Sequence, residues 1–106
     1  MFGLLERDIM YIRKAISTFP SVEEAIIFGS RAKGNYKKGS DIDLAVKGTN
    51  LTEQEVRDIY EKLNEEYPIP YFFDVLHYDT LQNKKLKQHI DQEGEPLPLK
   101  TDAFTK

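Results

Sequence analysis

The sequence predicts an α+β domain, a small mixed sheet with helices packed on one face. Three observations predict it. Helical and strand periodicities alternate along the chain in the order helix, strand, loop, strand, helix, strand, helix. One glycine-rich loop, residues 29–40, separates the first two apolar strand-like runs. Of the 106 residues 40% are apolar, enough for a single compact core and no second one.

Each element has its own signal. Leu5, Ile9, Ile12, Ile16 and Phe19 recur at alternating spacings of four and three, one face of an amphipathic helix closed by Pro20. Ala25-Ile26-Ile27-Phe28 is a short apolar run ending at Gly29, which reads as a buried strand. The loop that follows has room for one helical turn. Asp41-Ile42-Asp43-Leu44 alternates and then runs apolar through Ala45-Val46, a second strand stopped by Gly48. Thr52-x-x-Glu55 is a capping box, and Val56, Ile59, Tyr60, Leu63 and Tyr67 supply the apolar face of a second helix up to Pro68. Tyr71-Phe72-Phe73-Asp74-Val75-Leu76, aromatic and β-branched, is a third strand. A last helix spans about Thr80–Glu93, with Leu81, Leu86 and Ile90 inward and Gly94 as its C-cap. The chain thus divides into one domain over residues 1–94 and an irregular tail over 95–106, where two prolines break any period.

Composition excludes several functions. Without cysteine there are no disulfides, thiolate zinc sites or thiol catalysis. With 15 basic against 18 acidic residues, the net charge of -3 argues against general nucleic-acid binding. No apolar run reaches the ~18 residues of a membrane span and no signal-peptide core follows the N-terminus, so a soluble cytoplasmic protein is expected.

The loop invites comparison with a P-loop. Gly29-x4-Gly34 has the glycine spacing, but Asn35-Tyr36 stands where Lys-Ser/Thr is required. Both the phosphate-binding lysine and the magnesium hydroxyl are missing. It is not a P-loop.

The carboxylates carry more. On a strand, Asp41 and Asp43 share one face about 6.6 Å apart, with Ile42 and Leu44 on the other. At an effective dielectric near 20, their charges repel by about 2–3 kcal/mol. No structural role requires that arrangement, whereas a divalent cation converts the repulsion into ligation. Hard oxygen donors suit Mg²⁺, which takes one or two carboxylates plus substrate phosphates. Asp74 lies within an apolar strand, where an unpaired charge is costly. If that strand pairs with Asp41–Val46, the three carboxylates converge. Taken alone, Asp74 reads as an edge-strand residue or half of an ion pair.

Gly29-Ser30, ten residues, Asp41-Ile42-Asp43 and a later strand Asp together resemble the nucleotidyltransferase signature of the DNA-polymerase-β superfamily. Gly29-Ser30-Arg31-Ala32-Lys33-Gly34 and Ser40-Asp41-Ile42-Asp43-Leu44 resemble the minimal nucleotidyltransferases in particular. The resemblance runs over about residues 1–94 and implies the nucleotidyltransferase fold. The proline-rich end departs from the usual short ending. The implied reaction is attack of an acceptor hydroxyl on the α-phosphate of ATP, with loss of pyrophosphate. Asp41, Asp43 and Asp74 would then be both the catalytic residues and the ligands of two Mg²⁺ ions, Asp74 on the nucleophile side. Gly29, Ser30 and Arg31 would bind nucleotide, with Ser30 donating to the β- or γ-phosphate. For Arg31 and Lys33 a solvated loop position is an equal reading. Ser40 reads as a turn cap. Lys37 and Lys38 read as surface charge, and Tyr36 as a loop residue open to nucleotide or partner. His77 and His89 read as structural, and Tyr71, Phe72 and Phe73 as strand packing.

Minimal nucleotidyltransferases of this kind typically partner small helical HEPN-domain proteins. In such toxin–antitoxin pairs the transferase is the antitoxin and adds AMP to a tyrosine of the RNase toxin. A short chain with no appended acceptor-binding domain fits that role. Two alternatives stay open. One is small-molecule transfer, as to aminoglycosides, with a homo- rather than hetero-oligomer building the pocket. The other is a non-enzymatic antitoxin that neutralises by binding, whose expected mark is loss of Ser30 or a carboxylate; all four are present.

Overall fold

The computed structural model describes residues 4–29, 31, 34 and 41–99. Helix α1 spans Glu6–Ser17, β1 Glu24–Phe28, β2 Ile42–Lys47, α2 Glu53–Glu61, β3 Phe73–His77, α3 Lys84–Glu93 and β4 Glu95–Pro96. The sheet runs β3-β2-β1-β4. β1 is antiparallel to β2 and β4, and β2 is parallel to β3. That parallel pair requires a crossover, which α2 supplies. Among the described residues no helix is long and apolar enough to cross a membrane.

Local chemistry sets the helix ends. The capping box forms as its residues predict: Thr52 Oγ1 accepts the Glu55 amide at 3.1 Å and Glu55 Oε1 accepts the Thr52 amide at 3.0 Å. After α2 the chain widens into a π-turn, Lys62–Glu66. α3 begins at Lys84, later than the periodicity suggests, because Asn83 caps it by accepting the Leu86 amide at 3.1 Å. Residues Tyr78–Thr80 form a separate 3₁₀ turn. Gly94 ends α3 without a left-handed backbone. Its missing side chain instead leaves room for Ile26 and the Ile90 carbonyl.

Both faces of the sheet are covered. Ala25, Ile27, Ile42, Leu44, Val46 and Phe73 pack against α1 and α2 through Ile12, Ile16, Val56 and Ile59. Ile26, Phe28 and Ala45 pack on the other face against Ile90 of α3, with Leu76, Leu81 and Leu86 alongside. The mixed α+β sheet is as expected, but helices on one face holds only for α1 and α2. The apolar stripe of α3 needs a partner, and the second face of β1 and β2 provides it. β2 records the boundary in its sequence: it alternates at Asp41–Leu44, where that face is open, and turns continuously apolar where α3 covers it.

The start of the tail is not irregular. Glu95 and Pro96 pair with Ile27 and Ile26, and the Leu97 amide donates to Ala25 O at 2.8 Å. A proline is tolerated there because β4 is an edge strand. Leu97 is buried and Leu99 packs on the main core. Residues 100–106 lie outside the described ones.

Candidate active site

The geometry of the site follows from strand register. Asp43 is the partner of Phe28 across β1–β2 and of Asp74 across β2–β3. Paired residues project to the same face, so Phe28, Asp43 and Asp74 form a row at one end of the sheet. That face is the one α3 packs on. Asp41, two residues before Asp43, precedes β2 and is exposed, as is Asp74; Asp43 is half-buried. The sheet thus brings the three carboxylates to one edge. Among the described residues, however, no three His, Cys, Asp or Glu side chains close into a metal-binding group. The carboxylates line an open surface.

Electrostatics single out the middle member. Burial pushes the Asp43 carboxyl above its ordinary range, and the neighbouring Asp74 and Asp41 charges push it further. His89 opposes them. Its ring stands edge-on to Phe28, 6.3 Å between centroids. Sequence reading set His89 aside as structural; its place just before the buried Ile90, on the helix that covers this face, is the signal that marks it.

Gly29 leaves β1 with φ 77°, a backbone favouring glycine. A Cβ there would run into Asp43 Oδ2. Its conformational freedom therefore admits a carboxylate. Arg31, two residues on, is not solvated. It is 3% exposed, and its guanidinium carbon lies 4.6 Å from the centroid of the Tyr71 ring. Ser30, Lys33, Tyr36, Lys37, Lys38 and Ser40 lie outside the described residues.

The aromatic run divides. Phe73 is fully buried and Tyr71 packs on the core, as strand packing requires. Phe72 is 48% exposed with Tyr60 edge-on beside it at 5.9 Å. It departs from the packing expectation because it shares the face of Asp74 on an edge strand. Phe73 is held by Asn64 in the π-turn: its N–H donates to Asn64 Oδ1 at 2.8 Å, and its carbonyl accepts from Asn64 Nδ2 at 3.1 Å. His77 closes the far end of β3, with Nδ1 2.9 Å from Glu53 Oε2. A recess lined by Met10, Arg13, Lys14, Ser17 and Leu99 belongs to the α1 side, away from the carboxylates.

Comparison with known proteins follows this geometry. The family described as polymerase beta, nucleotidyltransferase matches residues 11–102. Among solved structures, a toxin–antitoxin with AMP-PNP superposes with a TM-score of 0.70 at 22% identity, over 94% of this chain and 77% of that one. The toxin–antitoxin MntA-HepT gives 0.68 at 19% identity, over 93% and 76%. A tri-AMPylated Shewanella oneidensis HEPN toxin in complex with MNT antitoxin gives 0.67 at 19% identity, over 94% and 76%. At these identities the likeness is one of fold. No curated protein is a significant match in sequence.

Proposed function

This chain belongs to the polymerase-β nucleotidyltransferase family, and from that premise we propose that it transfers AMP from ATP to a tyrosine hydroxyl of a HEPN-type RNase toxin, acting as its antitoxin. The observation that carries the reading is the register of Asp43 with Asp74, with the Asp41 charge near enough to act on Asp43. The fold neighbours support the choice of acceptor, since they include an AMPylated HEPN toxin bound to an MNT antitoxin and a toxin–antitoxin with AMP-PNP.

The donor set fits magnesium. All three groups are hard carboxylate oxygens; burial first and then the Asp74 and Asp41 charges raise the Asp43 carboxyl, and a divalent cation relieves that repulsion. Asp41, Asp43 and Asp74 would hold two Mg²⁺ ions, whose charge favours the nucleophile and the departing pyrophosphate. The open surface leaves the remaining ligand positions to substrate phosphates. Gly29 and Ser30 would receive the triphosphate. The acceptor oxygen bonds to the α-phosphorus as the bond to the bridging oxygen of pyrophosphate breaks. Asp74, exposed at the sheet edge, would take the hydroxyl proton.

The test is incubation of the chain with labelled ATP, Mg²⁺ and a co-encoded helical partner, followed by mass analysis of the partner. AMP on a partner tyrosine is expected. Neutralisation that persists without transfer, and survives Asp41→Asn with Asp43→Asn, would replace this reading with binding alone.

A further inference from the structure

Arg31 is unusual for its position. It stands two residues past Gly29, in helical backbone, yet it is 3% exposed. An ionised guanidinium is costly to bury unless attractive contacts replace its water. One such contact is the face of Tyr71, 4.6 Å from the guanidinium carbon and well within cation–π range.

Tyr71 is itself anchored. It packs against the main core. The next residue, Phe72, accepts the Ile42 amide at its carbonyl at 2.9 Å. Both backbone groups of Phe73 are held by Asn64, at 2.8 and 3.1 Å. Tyr71–Phe73 is therefore a fixed ledge leading directly into Asp74. The chain leaves β1 at Gly29, whose backbone lies against the Asp43 carboxylate. Gly29 thus lies against Asp43, and Arg31 is tied to the segment that leads into Asp74.

Resting on the nucleotidyl-transfer reading, we propose that Arg31 is a positioning residue. Its guanidinium rests on Tyr71 as a clamp, so that Arg31, Gly29 two residues before it and the Asp43–Asp74 row hold their places together. Triphosphate affinity then depends on the Arg31–Tyr71 contact, and not on a hydrogen bond from Arg31 to phosphate. Its burial agrees, since it presents almost no surface to a ligand arriving from solvent.

The experiment titrates ATP in Mg²⁺ into the full chain by calorimetry, with melting curves to choose a temperature at which every variant is folded. The variants are Tyr71→Phe, Tyr71→Leu, Arg31→Met and the Tyr71→Leu/Arg31→Met double. Tyr71→Phe keeps the ring and is expected to bind as the native chain does. Tyr71→Leu and Arg31→Met are each expected to weaken ATP about fivefold or more, and the double no further than the worse single. KM for ATP in the transfer assay should rise in step. Should Tyr71→Leu not fold, Phe and a fluorinated phenylalanine of nearly the same shape at position 71 decide the matter. Affinity falling with fluorination supports the clamp; a flat series overturns it. Native affinity in Tyr71→Leu alongside loss in Arg31→Met would mean a direct phosphate contact and overturn it. Lower melting temperatures with native affinity in both would make the contact purely structural, again overturning it. If the native chain binds no ATP in Mg²⁺, the nucleotidyl-transfer reading fails and the clamp with it.

Discussion

Asp43 and Asp74 stand directly opposite one another on adjacent parallel strands, projecting to the same face at the open end of the sheet. Two like charges so placed make the folded state work against itself. The Asp43 carboxyl is raised by burial first and by Asp74 and Asp41 next. A carboxyl raised on folding binds protons more readily in the native state, so stability falls as pH rises through that raised value. At neutral pH without metal, Asp43→Asn should therefore melt a few degrees above the native chain, with a flatter acid-side pH profile. Added Mg²⁺ should raise the melting temperature of the native chain and not that of the variant. Nucleotidyl transfer should fall by about 100-fold or more in Asp43→Asn and in Asp74→Asn. A variant that gains stability while losing activity separates the site from the scaffold. An Asp43→Asn protein that melts lower than the native one would contradict the assignment.

Gly29 tests the same carboxylate from the backbone side. Its φ of 77° disfavours any side chain, and a Cβ would meet Asp43 Oδ2. Gly29→Ala should cost about 1–3 kcal/mol of stability, read by denaturant unfolding. Its effect on transfer should exceed that of Gly34→Ala, where the backbone is also left-handed, at φ 82°, but no atom of the described residues lies within 4 Å of the new methyl. Equal losses at both glycines would remove the close approach to Asp43 as the cause.

The placing of two of the three carboxylates was legible because it is written in short range. Asp41 and Asp43 are two residues apart, and strand period alone puts them on one face. Asp74 could be added only by assuming that two strands pair, and the parallel register met that assumption. What escaped is set by contacts distant in sequence. Arg31 is buried against Tyr71, forty positions away, whereas composition alone suggests solvent or phosphate. α3 was expected beside the other helices because an amphipathic stripe says how much is buried but not against which face. The pairing of Glu95–Pro96 escaped for a similar reason: two residues have no period, and β1 supplies the partner that orders them.

Asn64 holds both backbone groups of Phe73, one residue before Asp74, and also donates to Tyr60 O at 3.1 Å. The π-turn that carries it costs a regular helical turn but delivers an amide to the edge of β3. Asn64→Leu leaves those backbone groups unsatisfied beside a fully buried aromatic ring. The expected loss is about 1–3 kcal/mol by denaturant unfolding. Transfer and ATP affinity, measured where the variant is still folded, should both fall, since Asn64 holds the Tyr71–Phe73 ledge that leads into Asp74. Unchanged transfer would show that β3 holds Asp74 without help.

Glu53 and His77 tie the first turn of α2 to the end of β3, with 2.9 Å between Glu53 Oε2 and His77 Nδ1. The hydrogen bond with His77 holds the Glu53 carboxyl below its ordinary value, and a second with Thr80 adds to it. The first-turn position favours the carboxylate as well. A carboxyl depressed on folding stabilises the native state fully above its unfolded pKa, and that stabilisation is lost as pH falls through the folded value. Melting curves of the native chain and of Glu53→Gln, taken from about pH 6 down to about pH 3, should therefore differ most at the upper end and converge at the lower. The side chain of Glu53 is 58% exposed while that of His77 is 7% exposed, so salt should narrow the gap only partly. A gap that stays constant across the range would mean the contact acts through shape and not through the charge of Glu53.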